Sequence, residues 1–132
     1  RSGLVVPVIR NVESKGIIEL AVELGEIADR ALDRPLKAQE MTGGTFTLTN
    51  LGSIGGTAFT PIINTPEVAI LGIARGAMEP VWNAASGVFE PRPLLPLCLS
   101  YDHRVIDGAD GARFTRFVAS LIEDPSLIAL QG

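Results

Sequence analysis

The chain has a single cysteine, Cys98, so no disulfide can close within it and no cysteine-rich metal cluster can form. Aromatic residues make up only 5% of the 132 residues, so any core must be aliphatic. The 46% apolar share supplies such a core and excludes a disordered chain. No apolar run approaches the ~18 residues needed to cross a bilayer. No secretory leader is visible. A basic surface is lacking as well: the net charge is −4, which argues against a general nucleic-acid binder. The length suits one domain, and the missing initiator methionine leads us to expect part of a longer protein. Histidine is scarcest of the chemically useful residues. There is one, His103, so imidazole acid–base chemistry near neutral pH has one place to occur.

The expected elements follow from periodicity. Leu4 to Ile9 is a β-branched run that reads as a strand, with Pro7 favouring an edge. Ser14 is placed to cap a helix over about Lys15–Leu32, where Ile17, Leu20, Ala21, Leu24, Ile27, Ala28 and Ala31 recur at helical spacing. Asp33-Arg34-Pro35 stops it, and Leu36–Met41 allows one short turn. Thr45–Thr49 alternates and reads as a strand. The glycine-rich stretch Asn50–Thr57 follows. It lacks the lysine of a phosphate-binding loop, and Leu51 stands where a nucleophile elbow needs glycine.

Val68–Ala74 is an apolar strand. Arg75–Pro80 should turn, and Val81-Trp82 and Val88-Phe89 should flank a hairpin tip, with Pro91 and Pro93 marking irregularity. Leu94–Leu99 reads as a buried strand, and Cys98 within it as an inert thiol. A helix is expected from Asp110 to about Glu123, ended by Asp124-Pro125. The tail after it, with Leu127, Ile128 and Leu130, is unusually apolar and suits a partner surface. Strands interspersed with helices give an α/β fold, a mixed β-sheet covered by helices.

The most informative stretch is Leu99-Ser100-Tyr101-Asp102-His103-Arg104-Val105-Ile106-Asp107-Gly108. It sets polar groups at the carboxyl end of an apolar strand, where ligands commonly bind in such sheets. Gly108 gives the turn conformational freedom. Asp102 and Arg104 flank His103 and read as turn-stabilising residues. Asp107 has two open roles, orienting the imidazole or holding the turn, of which the second is favoured.

These residues carry a resemblance. The segment resembles the active-site motif of dihydrolipoamide acyltransferases, the acyl-transfer core components of 2-oxo acid dehydrogenase complexes. The shorter His-x-x-x-Asp-Gly is shared with the related chloramphenicol acetyltransferases. Independently, Gly43 to Ala74 is similar to the family's other long signature. The similarity covers nearly the whole chain, as the C-terminal portion (residues 1–132) of a single catalytic domain that begins well upstream.

The resemblance implies a chloramphenicol acetyltransferase-like fold and a transfer of an acyl group, best matched as acetyl, between dihydrolipoamide and coenzyme A. It implies His103 as general base and Thr49 as hydroxyl donor to the tetrahedral intermediate, with Asp107 as the motif aspartate. No metal is implied, and the coenzyme A contacts cannot be assigned. It further implies a homotrimer with active sites between subunits, His103 and Thr49 coming from different chains. Trimers would build a larger symmetric core, with Leu127, Ile128 and Leu130 between them. The parent chain would carry the lipoyl group on another domain and engage decarboxylase and dihydrolipoamide dehydrogenase components, without nucleic acid or membrane, in a bacterial cytoplasm or mitochondrial matrix. The alternatives are a non-catalytic structural core of such a complex, a branched-chain or succinyl-specific acyltransferase, and an acetyltransferase for a small hydroxylated molecule. The Thr45–Ala74 signature argues against the last.

Overall fold

The computed structural model describes residues 4–131. The chain separates into two compact units, one ending at Thr45 and the other starting at Phe46.

In the first unit, residues 4–9 form no strand. Pro7 has no N–H to give, and Val8 N–H donates to the Glu40 carbonyl at 2.8 Å rather than to a strand. A 3-10 turn, Val12–Ser14, precedes helix α1, Ile17–Asp33. Ser14 is not its cap: its hydroxyl donates to the Asn11 carbonyl at 2.8 Å, and Gly16 takes the cap position without a side-chain bond. The helix stops at Asp33, as Pro35 requires. The short turn expected after it is the 3-10 segment Ala38–Glu40. Glu40 accepts the Lys37 N–H and bonds from Arg34 and Arg30, which together hold its carboxyl down at about 2.

The second unit is built on a mixed three-stranded sheet of order β1-β2-β5: β1 Thr47–Asn50, β2 Ala69–Ile73 and β5 Leu97–Tyr101. Strand β2 is central, parallel to β1 and antiparallel to β5. The core sits there, with Ala69, Ile70, Leu71 and Ala74 all buried. Gly72 is the exception among these apolar side chains, and packing explains it. A Cβ there would stand 2.5 Å from the Phe59 ring, which covers the strand at that point. Helix α2, Gly108–Glu123, packs against β5, and Phe114 on it meets Phe46 edge to face at 5.6 Å. A short helix α3, Ser126–Gln131, follows, so the apolar tail is helical rather than extended. Leu127 in it is half-buried and Ile128 exposed; the Leu130 side chain lies outside what the structure describes.

The hairpin is longer than its sequence suggests. Strands β3, Ala77–Asn83, and β4, Val88–Leu94, run straight through Pro80, Pro91 and Pro93. Pro80 faces Pro91 across the ladder, and neither has an N–H to donate. That rung is therefore a non-hydrogen-bonded one, and Pro93, two residues on, falls in the same phase. A two-stranded ribbon, with both strands at an edge, is where prolines can be placed this way. Trp82 and Phe89 pair across the same ribbon at 5.1 Å. The expected strand Leu94–Leu99 is consequently split. Leu94 ends β4, Leu95 and Pro96 break the run, and β5 is half-buried rather than buried, Cys98 with it.

Candidate active site

His103 lies two residues past the end of β5, in an exposed turn that leads into α2. The turn is held from Asp102. Its N–H donates to the Val68 carbonyl at 2.7 Å, which ties the turn to the start of β2. Its own carbonyl accepts the N–H groups of Val105 and Ile106, both at 2.9 Å. Its carboxylate accepts the Arg104 N–H at 3.0 Å and two N–H groups from one edge of the Arg104 guanidinium, Nε at 2.9 Å and Nη2 at 2.8 Å. The guanidinium bonds, then the backbone N–H, lower the Asp102 carboxyl to about 2 and raise the Arg104 guanidinium above its ordinary value.

Asp107 sits at the other end of the turn. It is the N-cap of α2, where its Oδ1 accepts the Asp110 N–H at 2.8 Å. It thereby satisfies one of the donors that every helix start leaves open. Gly108 follows as the first helical residue and does not take a positive φ, so backbone freedom is not what it supplies. Gly111, one turn on, is the position that needs glycine. A Cβ there would come within 2.8 Å of the Tyr101 ring. That ring also lies beside the His103 imidazole, centroid to centroid 5.8 Å. Among the described residues, nothing hydrogen-bonds the imidazole nitrogens, which leaves both available to a substrate.

Thr49 lies elsewhere on the sheet. It pairs with Gly72, which pairs with Cys98, three rungs before Tyr101. Three rungs of ~3.3 Å and two strand spacings of ~4.8 Å put Thr49 roughly 14 Å from the end of β5. The register therefore sets Thr49 well apart from the strand end that leads to His103. The Thr49 hydroxyl has no hydrogen-bond partner among the described residues. Beyond Thr49 the glycine-rich loop turns at Gly52–Ile54 and passes through Gly55 and Gly56, with φ of 119° and 93° that only glycine adopts at ease.

Two groups near these residues escape sequence reading. Tyr101 and Gly111 form the wedge beside His103; the available signal was a glycine inside a helix, which costs ~1 kcal/mol against alanine and so implies close packing. The buried Thr47 hydroxyl donates to Glu67 at 2.6 Å and accepts from Asn64 at 3.3 Å, bracing the start of β1. No local pattern announces that triad.

With this geometry in place, comparison with known proteins is direct. The family model of the 2-oxoacid dehydrogenases acyltransferase (catalytic domain) matches residues 1–130. The chain is 56% identical over 123 residues to the dihydrolipoyllysine-residue acetyltransferase component of the pyruvate dehydrogenase complex of Haemophilus influenzae, covering 93% of this chain and 21% of that protein. It is similar to a solved structure of Azotobacter vinelandii dihydrolipoamide acetyltransferase, with TM-score 0.91 and 54% identity over 96% of this chain and 51% of that one. That structure concerns the role of a serine, a histidine and an asparagine in the catalytic mechanism. A structure of the cubic core of the pyruvate dehydrogenase multienzyme complex matches equally, with TM-score 0.91, 54% identity and the same coverage. The chain thus spans about a fifth of the first relative's length and about half of each solved chain. The mixed sheet with helices is the fold of these catalytic cores, and the chain belongs to the 2-oxoacid dehydrogenase acyltransferase family, within its catalytic domain.

Proposed function

We propose that this chain is the C-terminal part of an acyltransferase catalytic domain that moves an acetyl group between dihydrolipoamide and coenzyme A, within a pyruvate dehydrogenase complex. The observation that carries it is His103: a lone imidazole at the exposed carboxyl end of β5, with neither ring nitrogen hydrogen-bonded among the described residues and its backbone tied down on either side. The neighbours with which the chain shares its fold are named as acetyltransferases of that complex.

Both substrates meet as thiol and thioester. A free thiol has a pKa of ~8.5, so near pH 7 it needs a base to become a nucleophile. His103 takes that proton and returns it to the departing thiol. As the thiolate attacks, charge gathers on the thioester oxygen, and the Thr49 hydroxyl donates to it. A positioned donor of this kind is worth several kcal/mol in the transition state. Asp107 acts on the turn rather than on the ring, through its bond to the start of α2. The relative's mechanistic histidine and asparagine are four residues apart, as are His103 and Asp107. An asparagine caps a helix as well as an aspartate does, which favours the capping role.

The ~14 Å between Thr49 and the end of β5 supports a site completed by a second subunit. The family resemblance implies a homotrimer that builds a larger symmetric core, and we read Leu127 and Ile128 of α3 as contacts between trimers. The lipoyl group, on another domain of the parent chain, and the decarboxylase and dihydrolipoamide dehydrogenase components complete the assembly, in a bacterial cytoplasm or mitochondrial matrix. The test is turnover of the complete protein with acetyl-, succinyl- and isobutyryl-coenzyme A, each against dihydrolipoamide. Acetyl transfer should be fastest. Faster succinyl or isobutyryl transfer would reassign the substrate, and no transfer with any donor would leave a structural core.

A further inference from the structure

The motif aspartate Asp107 is engaged at the helix start and does not reach His103, so something else must hold the base. The residues on either side of His103 do. Asp102 Oδ1 accepts the Arg104 N–H at 3.0 Å, closing an Asx turn whose middle residue is His103. A turn of this kind restricts the backbone of the residue it encloses. The same carboxylate is then gripped along both oxygens by the Arg104 guanidinium, at 2.9 and 2.8 Å, which fixes the rotamer on which the turn depends. Asp102 is itself anchored, through its N–H to Val68 on the edge of β2 and through its carbonyl to Val105 and Ile106. Its side chain is only 20% exposed, whereas that of Arg104 is 89% exposed. The arginine is thus poorly placed to stabilise the fold by packing, yet it completes the ring of bonds across the base.

We propose that Asp102 and Arg104 are the positioning residues of His103, the bidentate pair closed across the base fixing the backbone from which the imidazole projects. The proposal rests on the reading of His103 as general base. A misplacement of about 1 Å can cost two orders of magnitude when reacting groups must align. A turn that loses one of its fastenings should lose part of that.

The experiment uses the complete acyltransferase in its assembled state, with kcat and KM measured for coenzyme A and dihydrolipoamide, beside sedimentation and thermal melting. Arg104→Ala should lower kcat about tenfold and leave both KM values within about twofold. Arg104→Lys should not restore it, because an ammonium cannot give two coplanar N–H groups to one carboxylate. Asp102→Ala should lose at least as much kcat, since it opens the Asx turn as well. The double variant should be no worse than Asp102→Ala alone, because the two act as one unit. Should Asp102→Ala fail to fold, Arg104→Ala and Arg104→Lys, altered at an exposed side chain, decide the matter. The proposal is overturned by an unchanged kcat in Arg104→Ala, by a loss confined to KM (which would make the guanidinium a substrate-binding group), by additive losses in the double variant, or by a loss that tracks melting or assembly alone. His103→Ala separates the two layers. If it retains turnover, the base is misassigned and the premise goes with it. If it is inactive while Arg104→Ala is normal, only the positioning role falls.

Discussion

The two ends of the three-stranded sheet are built differently. At the β5 end, the His103 turn is fastened at nearly every step: Asp102 to β2, Arg104 to Asp102, Asp107 to the first turn of α2, and Tyr101 wedged over Gly111. At the β1 end, Thr49 runs into a loop with Gly55 and Gly56 at positive φ and Ile54 81% exposed. The one end supplies its own scaffold. The other leaves the Thr49 hydroxyl without a hydrogen-bond partner among the described residues and the Ile54 side chain exposed. A base must be held to about a hydrogen bond's tolerance to be effective, and local bonds can do that. An oxyanion donor need only be carried rigidly to the carbonyl, and a neighbouring subunit can complete its surroundings. The contrast is what a site shared between two copies of one chain should look like.

The comparison can be broken most sharply at the base. His103→Ala in the complete protein should lower acetyl transfer by ~10²- to 10⁴-fold with the assembly intact, the usual contribution of a general base; near-normal turnover would leave the fastened turn without a catalytic purpose. At the open end, Thr49→Val should reduce kcat by roughly 10²- to 10³-fold with little effect on coenzyme A affinity, and Thr49→Ser should retain activity. If valine were tolerated and serine were not, Thr49 would be a packing residue. Between the two ends lies Gly72, the rung that joins Thr49 to Cys98. Gly72→Ala drives a methyl into the Phe59 ring, at 2.5 Å from its nearest atom, and should cost about 1–3 kcal/mol of stability, read from denaturant midpoints. An unchanged midpoint would mean that Phe59 can leave the strand freely.

The smallest effect is acidic. The Asp102 carboxyl falls from 3.8 to about 2 on folding, so its stabilising contribution is complete above the unfolded value and is lost as pH falls towards the folded one. The melting-temperature gap between wild type and Asp102→Asn should therefore narrow below about pH 4. A gap independent of pH would show that the ion pair contributes nothing.

Much of this was legible in the residues themselves. Helical spacing and Pro35 located α1 to within about two residues, and the threonine alternation located β1. His103, as the sole imidazole at a strand end, could be found without any structure. What escaped reading depended on contacts remote in sequence or on phase. Leu4–Ile9 has strand composition but joins no ladder among the described residues, and composition cannot supply a partner. Pro80, Pro91 and Pro93 looked like interruptions because a proline's cost depends on which rung it occupies, and rung phase is a property of the pair of strands. Ser14 looked like a cap, but its hydroxyl turns back to Asn11 and leaves Gly16 at the helix start. Gly108 and Gly111 are both in reach of Tyr101, and only three-dimensional packing reveals that the second is the one without room for a Cβ.

The central claim is that Thr49 and His103 act on one substrate from two different chains, and subunit mixing tests it most directly. Full-length Thr49→Val and His103→Ala proteins, each nearly inactive alone, are dissociated, mixed in equal amounts and reassembled. With random mixing, about a quarter of the interfaces pair an intact Thr49 with an intact His103, so acetyl transfer should return to about a quarter of the wild-type level. Reassembled particles of wild-type size and no recovered activity would contradict the account, because both groups would then have to come from the same chain.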